Sequence, residues 1–508
     1  MNINSNGKSR IKQLVLVPVL MGALALIPAS RVTAQTVTNL YSFQITGANA
    51  TFTITTNGSG AYPVAGLILS GNTLYGTTSS GGTNGTGTVF AVNTDGTGFT
   101  VLHTFGALVS GTNSDGAYPA AGLLQDGDSL YGTAQNGGSS GTGTVFTLRN
   151  DGLYFSNLHN FTALSAPFGG TNSDGANPAG GLILGEYVTL YGTAQNGGTN
   201  GRGTVFAITT SFTTLHTFTA DTNVNNSDGA YPIGGLLLSD NILYGTTSGG
   251  GIWGNGAVFA LDADGADYTN LYSFSAFSPH YFNNSDGSQP YGGLVISNNT
   301  LFGTTQSGGT NNGGTVFAVS TFGTGFTNLY SFTGYSDGSN PYAGLAILGN
   351  TLYGTAGNGG DSYDGTLFSL TTNGADFTTL HAFTNSPGDG GSPHAALIIS
   401  DNTLYGTTQG GGTNASGMVF SLPLAPPLVV PPLQLTVGSS GYSSNSIVLS
   451  WPTNYPGVYL QRTVNLGSGE GGWVTYTLVE PPIISNGLYI VTLPITSSQQ
   501  GFYRLSSQ

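Results

Sequence analysis

LYGTTSSGGTNGTGTVFAV, Leu74 to Val92, returns with small changes from Leu130, Leu190, Leu243, Leu301, Leu352 and Leu404, at spacings of 56, 60, 53, 58, 51 and 52 residues. Seven copies at a long, nearly fixed period mark a chain built from stacked supersecondary units. In the first unit the residue types divide into four short strands: Gly66 to Ser70, Leu74 to Thr78, Thr88 to Asn93 and Phe99 to Phe105. We letter these strands a to d and number the units in chain order. β-branched and aromatic residues fill the strands, and turn residues separate them. The a–b turns are rich in Gly, Asn and Asp, and several c–d turns are Asp-Gly or Asn-Gly, such as Asp95-Gly96 and Asn373-Gly374, pairs that tolerate positive φ in tight hairpins. Runs such as Thr88-Val89-Phe90-Ala91-Val92 are apolar on both faces, as a sheet needs when it packs between two others.

The expected fold is therefore all-β: a seven-bladed β-propeller of four-stranded blades over residues 35–422. A β-helix is the alternative, but four turn signals per unit suit a meander better than one coil. The seventh unit stops after strand c, Met418 to Leu422, while Val37-Thr38-Asn39-Leu40-Tyr41-Ser42-Phe43 repeats the d strand Phe326-Thr327-Asn328-Leu329-Tyr330-Ser331-Phe332 almost letter for letter. The N-terminal strand is thus expected to complete the last blade. A proline-rich linker at 423–433 and a small β-sandwich-like C-terminal domain at 434–508 follow.

Residues 1–34 read as a signal peptide: Lys8, Arg10 and Lys12, the apolar run Leu14 to Ile27, then Val32-Thr33-Ala34 as a small-residue cleavage site. The expected protein is secreted or associated with the cell surface, with no membrane-spanning segment in its mature part. Beyond residue 34, four arginines face 22 acidic residues, so the mature charge is −18. Nucleic acid and anionic lipid are attracted by clustered Lys and Arg, and both are excluded as expected partners. The absence of cysteine removes disulfides, thiolate metal sites and Cys nucleophiles together.

The repeat resembles the GloVer tandem repeat of secreted bacterial proteins. That pattern of GL, LYGTT, GG, GTVF and L-[HY]-x-F is met by Gly66-Leu67, Leu74 to Thr78, Gly81-Gly82, Gly87 to Phe90 and Leu102 to Phe105. The resemblance implies a propeller-type module joined to a C-terminal anchoring or sorting module, and it brings no agreed catalytic residues.

An up-and-down blade places its b–c and d–a loops at one end, and these are the long ones. Loops on a rigid scaffold are where binding concentrates, so this long-loop face is the expected site. Its d–a loops carry Asp115, Asp174, Asp228, Asp286, Asp337 and Asp389, with Gly60 in place of the acid in the first unit. They are candidate calcium ligands, calcium being the one cofactor considered, though an Asp beside a positive-φ glycine also serves its own turn. His103, His159, His216 and His381 alternate with Tyr41, Tyr272 and Tyr330 at one d-strand position, which points to packing between blades because tyrosine would not reproduce an imidazole zinc site.

Three motif matches lack their required context. Gly137-Gly138-Ser139-Ser140-Gly141 has no strand-to-helix elbow, Gly249, Gly251 and Gly254 precede no helix, and Asp262 to Asp267 lacks the calcium-loop glutamate. Departures from the repeat carry more information. Arg202 enters the third b–c loop, Trp253 the fourth, and the insertion Phe277 to Phe282, with His280, Tyr281 and Phe282, lengthens the d–a loop that follows. Tyr363, between Asp361 and Asp364, extends this set in the sixth b–c loop. Aromatic faces beside an arginine and carboxylates suit a sugar. The expected function is non-catalytic binding by a monomer, with extracellular glycan or a surface protein as partner. The alternatives are a polysaccharide-acting enzyme using Asp286, and a purely architectural surface protein.

Overall fold

The computed structural model describes residues 36–44 and 57–424, apart from 168, 221–225 and 279–283, and in the C-terminal region the strands at 434–437, 446–452, 458–463, 474–475, 483–485, 488–494 and 502–507. Seven antiparallel four-stranded sheets form a β-propeller. In blade 1 strands a to d are Ile68–Ser70, Thr73–Thr78, Thr88–Asn93 and Thr100–Thr104. The other blades repeat this order, and the only helical element among the described residues is the single turn Glu186–Val188. No helix among the described residues is long and apolar enough to cross a membrane.

The seventh blade takes its fourth strand from the start of the chain: Thr38–Ser42 lies antiparallel to Met418–Pro423. Its geometry is that of every other d strand. In blade 1, Val101 and His103 oppose the adjacent residues Phe90 and Val89, so Leu102 is skipped in a bulge. In blade 7, Asn39 and Tyr41 oppose Phe420 and Val419, and Leu40 is skipped. Such a bulge re-aims the next side chain, here His103 or Tyr41.

The core lies between blades rather than within them. The Phe of each GTVF-type strand c and the Phe that closes each strand d are fully buried, and they meet edge to face across all seven seams, at centroid distances of 5.1 to 5.6 Å from Phe43–Phe90 round to Phe383–Phe420. This explains the glycine of LYGTT. A Cβ on Gly245 would come within 2.5 Å of Phe259 Cζ and 2.9 Å of Leu236 Cδ2, so the ring of strand c occupies the place of the missing side chain.

The C-terminal unit, Pro427–Gln508, is separate from the propeller unit Gln35–Pro426. It contains one sheet ordered Gln434–Val437, Ser446–Pro452, Leu488–Pro494, Ile483–Ser485 and a second ordered Val474–Thr475, Val458–Thr463, Phe502–Ser507.

Candidate functional site

The d–a and b–c loops meet on one face, as bridges such as Ala61 to Ser80 and Ala117 to Asn136 record. Six of the seven d–a loops are tied down by an aspartate. His103 Nε2 lies 2.9 Å from Asp115, His159 2.9 Å from Asp174, His216 3.1 Å from Asp228 and His381 3.0 Å from Asp389. Where strand d carries tyrosine, its hydroxyl donates instead, from Tyr272 to Asp286 at 2.7 Å and from Tyr330 to Asp337 at 2.9 Å. The backbone N–H just past strand d donates to the same carboxylate in all six loops, for example Gly106 to Asp115 and Thr162 to Asp174. Except at His381, the His or Tyr ring then stacks on an aromatic residue of the next blade, as His103 does on Phe155 at 3.9 Å and Tyr272 on Phe326 at 3.8 Å; the place of that aromatic is taken by Val37 in blade 7.

Burial alone would raise the Asp174, Asp228 and Asp389 carboxyls. The histidine and threonine donors outweigh it and hold all three below the usual carboxylate range. Burial, reinforced by the neighbouring carboxylates, raises the Tyr272 and Tyr330 phenols. These carboxylates stand one to a loop with both oxygens engaged, and no three metal-ligating side chains converge among the described residues. Asp286, the first suspect for an enzymatic reading, is 5% exposed and accepts from Tyr272 and from both the amide and the hydroxyl of Ser275. In the first unit the acid's place falls to Ser59, not to Gly60. Ser59 Oγ accepts from the Gln44 amide, while Gly60 is the positive-φ glycine equivalent to Gly116.

The departures from the repeat fall into separate places. Arg202 points inward, its guanidinium 5.3 Å over the ring of Tyr231 in the next blade and hydrogen-bonded to that hydroxyl. Trp253 is 53% exposed and Tyr363 is 69% exposed. Most b–c loops place Asn or Ser at the Trp253 position, and Asn84 and Asn200 there bond the carbonyls of Phe105 and Phe218; tryptophan forgoes that tie. Tyr363 holds φ at 63°, in a position that is glycine in blades 1 to 4, and a left-handed conformation of an exposed tyrosine is retained at a cost. His280, Tyr281 and Phe282 lie outside the described residues.

Two features escaped the sequence reading. Tyr335, 70% exposed, replaces the Asn of the Asn-Ser-Asp-Gly loop and joins the Tyr363 loop, because the Gly360 amide donates to the Tyr335 carbonyl at 2.7 Å and that of Tyr363 to the Gly360 carbonyl at 3.1 Å. Its signal was the break from Asn to Tyr before Ser336-Asp337-Gly338.

The second is the central channel. After each d–a loop the chain passes a proline and turns down the propeller axis. The residue before that proline has positive φ in all seven blades, from 52° at Ser392 to 59° at Tyr231. Backbone bonds between blades hold it there, such as Tyr118 N–H to Thr86 O and Tyr62 N–H to Ser416 O. One turn deeper, a threonine of each strand b donates to a channel carbonyl of the next blade, a ring that runs from Thr77 to Ala121 and closes from Thr407 back to Ala65, at 2.8 to 3.3 Å. These devices leave an open cavity of about 240 Å³ on the axis. Val64, Ala120, Ala179 and Ile233 form one wall, and Tyr291, Tyr342 and His394 form the other. Sequence reading passed over this second wall because each residue stands alone, directly after the loop proline.

The architecture is thus that of a propeller with its long loops gathered around one channel mouth. The chain matches the Gloeobacter/Verrucomicrobia repeat over residues 29–223, 162–281 and 276–448, and it belongs to that family. No curated protein matches it in sequence. Among solved structures it is similar to an oligogalacturonate lyase from Vibrio parahaemolyticus at 11% identity, over 78% of this chain and 95% of that one, with a TM-score of 0.47. It is also similar to a putative 6-phosphogluconolactonase from Bacteroides uniformis, at 14% identity over 66% and 86% of the two chains, TM-score 0.41. A nidogen/laminin complex gives 14% identity over 53% and 82%, TM-score 0.33.

Proposed function

We propose that this is an exported, non-catalytic binding protein that takes up extracellular glycan on its long-loop face. The observation that carries the reading is the exposure of Trp253, Tyr335 and Tyr363, three aromatic residues that break the repeat and lie in the long loops. Exposed rings stack on the apolar faces of sugars, and the Asp361 carboxylate two residues from Tyr363 supplies a hydrogen-bond acceptor for hydroxyls. Large exposed aromatic residues on the opposite face, Tyr154, Tyr187 and Phe322, stand at hairpin turns of three different blades, and the Arg149 guanidinium lies 5.7 Å over the Tyr154 ring. The signal segment expected at residues 1–34 and the strongly acidic mature chain agree with an extracellular setting.

The test is retention of the purified protein on a panel of immobilised polysaccharides. One or more should hold the wild type, and Trp253→Ala or the double replacement of Tyr335 and Tyr363 by Ala should abolish retention at unchanged melting temperature. Retention by none, or retention indifferent to all three residues, would turn the reading toward protein partners or architecture.

A further inference from the structure

The central cavity departs from sevenfold symmetry. The residue after the loop proline is Val64, Ala120, Ala179 and Ile233 in blades 1 to 4, but Tyr291, Tyr342 and His394 in blades 5 to 7. Three rings in consecutive blades make a continuous arc: Tyr291 to Tyr342 at 6.0 Å and Tyr342 to His394 at 4.4 Å between centroids. All three are half-buried, so each keeps surface toward the cavity.

The arc is built into the neighbouring blades. Gln306 Nε2 donates to the Tyr342 hydroxyl at 2.9 Å, and Gln409 bonds the His394 ring. The position equivalent to Gln306 and Gln409 is Ser or Gln in every blade but the sixth, where it is Gly357. A Cβ on Gly357 would stand 2.7 Å from His394 Cδ2 and 3.0 Å from Tyr342 Cδ2. The sixth blade therefore gives up a side chain at the one place where His394 needs the room.

The cavity lining contains no Lys, Arg, Asp or Glu. Neither an anion nor a cation finds a counter-charge there, and an ion would be desolvated without compensation. One wall is aliphatic, and the other combines ring edges with two hydroxyls and an imidazole. At about 240 Å³ the space is below the range of drug-sized ligand pockets, which suits a single ring.

We propose that the central channel binds one neutral sugar ring, a free monosaccharide or the terminal residue of a glycan, with its hydroxyls toward Tyr291, Tyr342 and His394. The choice of sugar within the class of uncharged ring-sized molecules rests on the glycan reading of the long-loop face. The site itself is distinct from Trp253, Tyr335 and Tyr363.

The experiment is ligand-observed NMR on the purified full chain with the methyl glycosides of glucose, galactose, mannose and N-acetylglucosamine, and glucuronate as the charged control. At least one neutral glycoside should bind, glucuronate should not, and affinity should fall at least tenfold in Tyr342→Ala and in Ala120→Phe, which fills the channel from the opposite wall. Phe322→Ala, at an exposed turn on the opposite face, should leave that affinity unchanged. If Ala120→Phe does not fold, His394→Ala, at a half-buried position, replaces it. Absence of binding by every neutral glycoside, equal binding of glucuronate, or binding that survives the channel variants would overturn the proposal. Loss in Trp253→Ala alone would overturn it while leaving the long-loop reading intact. Monosaccharide binding with no polysaccharide retention would do the reverse.

Discussion

Phe43 and Phe90 meet edge to face with centroids 5.1 Å apart, one directly after the strand Thr38–Ser42 and the other in strand c of blade 1. Phe43 belongs to blade 7, so this contact closes the ring between the last and first blades. Replacing a fully buried phenylalanine by alanine costs about 3–5 kcal/mol. Phe43→Ala should lower the melting temperature markedly, and deletion of residues 37–43 should lower it further by exposing the edge of Met418–Pro423. Phe322→Ala, at a residue 78% exposed, is the control and should change little. Thermal unfolding followed by circular dichroism decides it; a deletion that melts with the wild type would mean that closure rests elsewhere.

Asp228 accepts from His216, Thr219 and the Thr219 amide, and these donors hold its carboxyl below the ordinary value of 3.8 in the folded chain. A depressed folded value means that the unfolded chain binds the proton more readily. The stabilisation is therefore fully present above pH 3.8 and is lost as pH falls through the lower folded value. Asp228→Asn should cost about 1–3 kcal/mol at pH 5 to 7, since it removes charge-assisted bonds in a buried site. The gap between variant and wild type should narrow steadily below that pH. Melting temperatures from pH 2 to 7 provide the measurement, and a gap independent of pH would show that the carboxylate charge is not what the site uses.

Gly245 is the seat of Phe259. A methyl group there overlaps the ring edge and Leu236, and overpacking a filled core costs about 1–3 kcal/mol. Gly245→Ala should destabilise by that amount in denaturant titrations. Gly58→Ala, where nothing lies within 4 Å of the added carbon, should be close to neutral. Equal effects at both positions would mean that the loss does not come from the interblade seam, since the entropy term of a Gly→Ala change is stabilising.

How much of this was legible in the sequence follows from what the repeat encodes. LYGTT and GTVF spell out strands b and c because both faces are buried between blades, and the match of Val37 to Phe43 with other d strands announced the closing strand. The roles of Asp115 and its equivalents as loop ties could be weighed but not settled, because the partner lies across a bulge that composition does not reveal. The tie formed by Ser59 reads from sequence one residue late, at Gly60, since a serine at an acid's position looks like loop filler. Tyr291, Tyr342 and His394 went unseen for a different reason. They are separated by about fifty residues each and come together only when seven blades share an axis.

That axis is held by the threonine ring, whose most direct test is Thr304. Its hydroxyl donates to the Ala343 carbonyl at 2.8 Å, directly after Tyr342 in the channel wall. Valine keeps the shape and removes the donor, leaving a buried carbonyl without that bond, at a cost of about 1–3 kcal/mol. Thr304→Val should lower stability by this amount in chemical denaturation, whereas Thr100→Val, at an exposed site with a 3.3 Å bond to Gly98, should not. Because Ala343 follows Tyr342 directly, the same change should also weaken any ligand held by Tyr342. A variant as stable as the wild type would mean that the carbonyl finds another donor, and that the channel is held by the pre-proline backbone bonds instead.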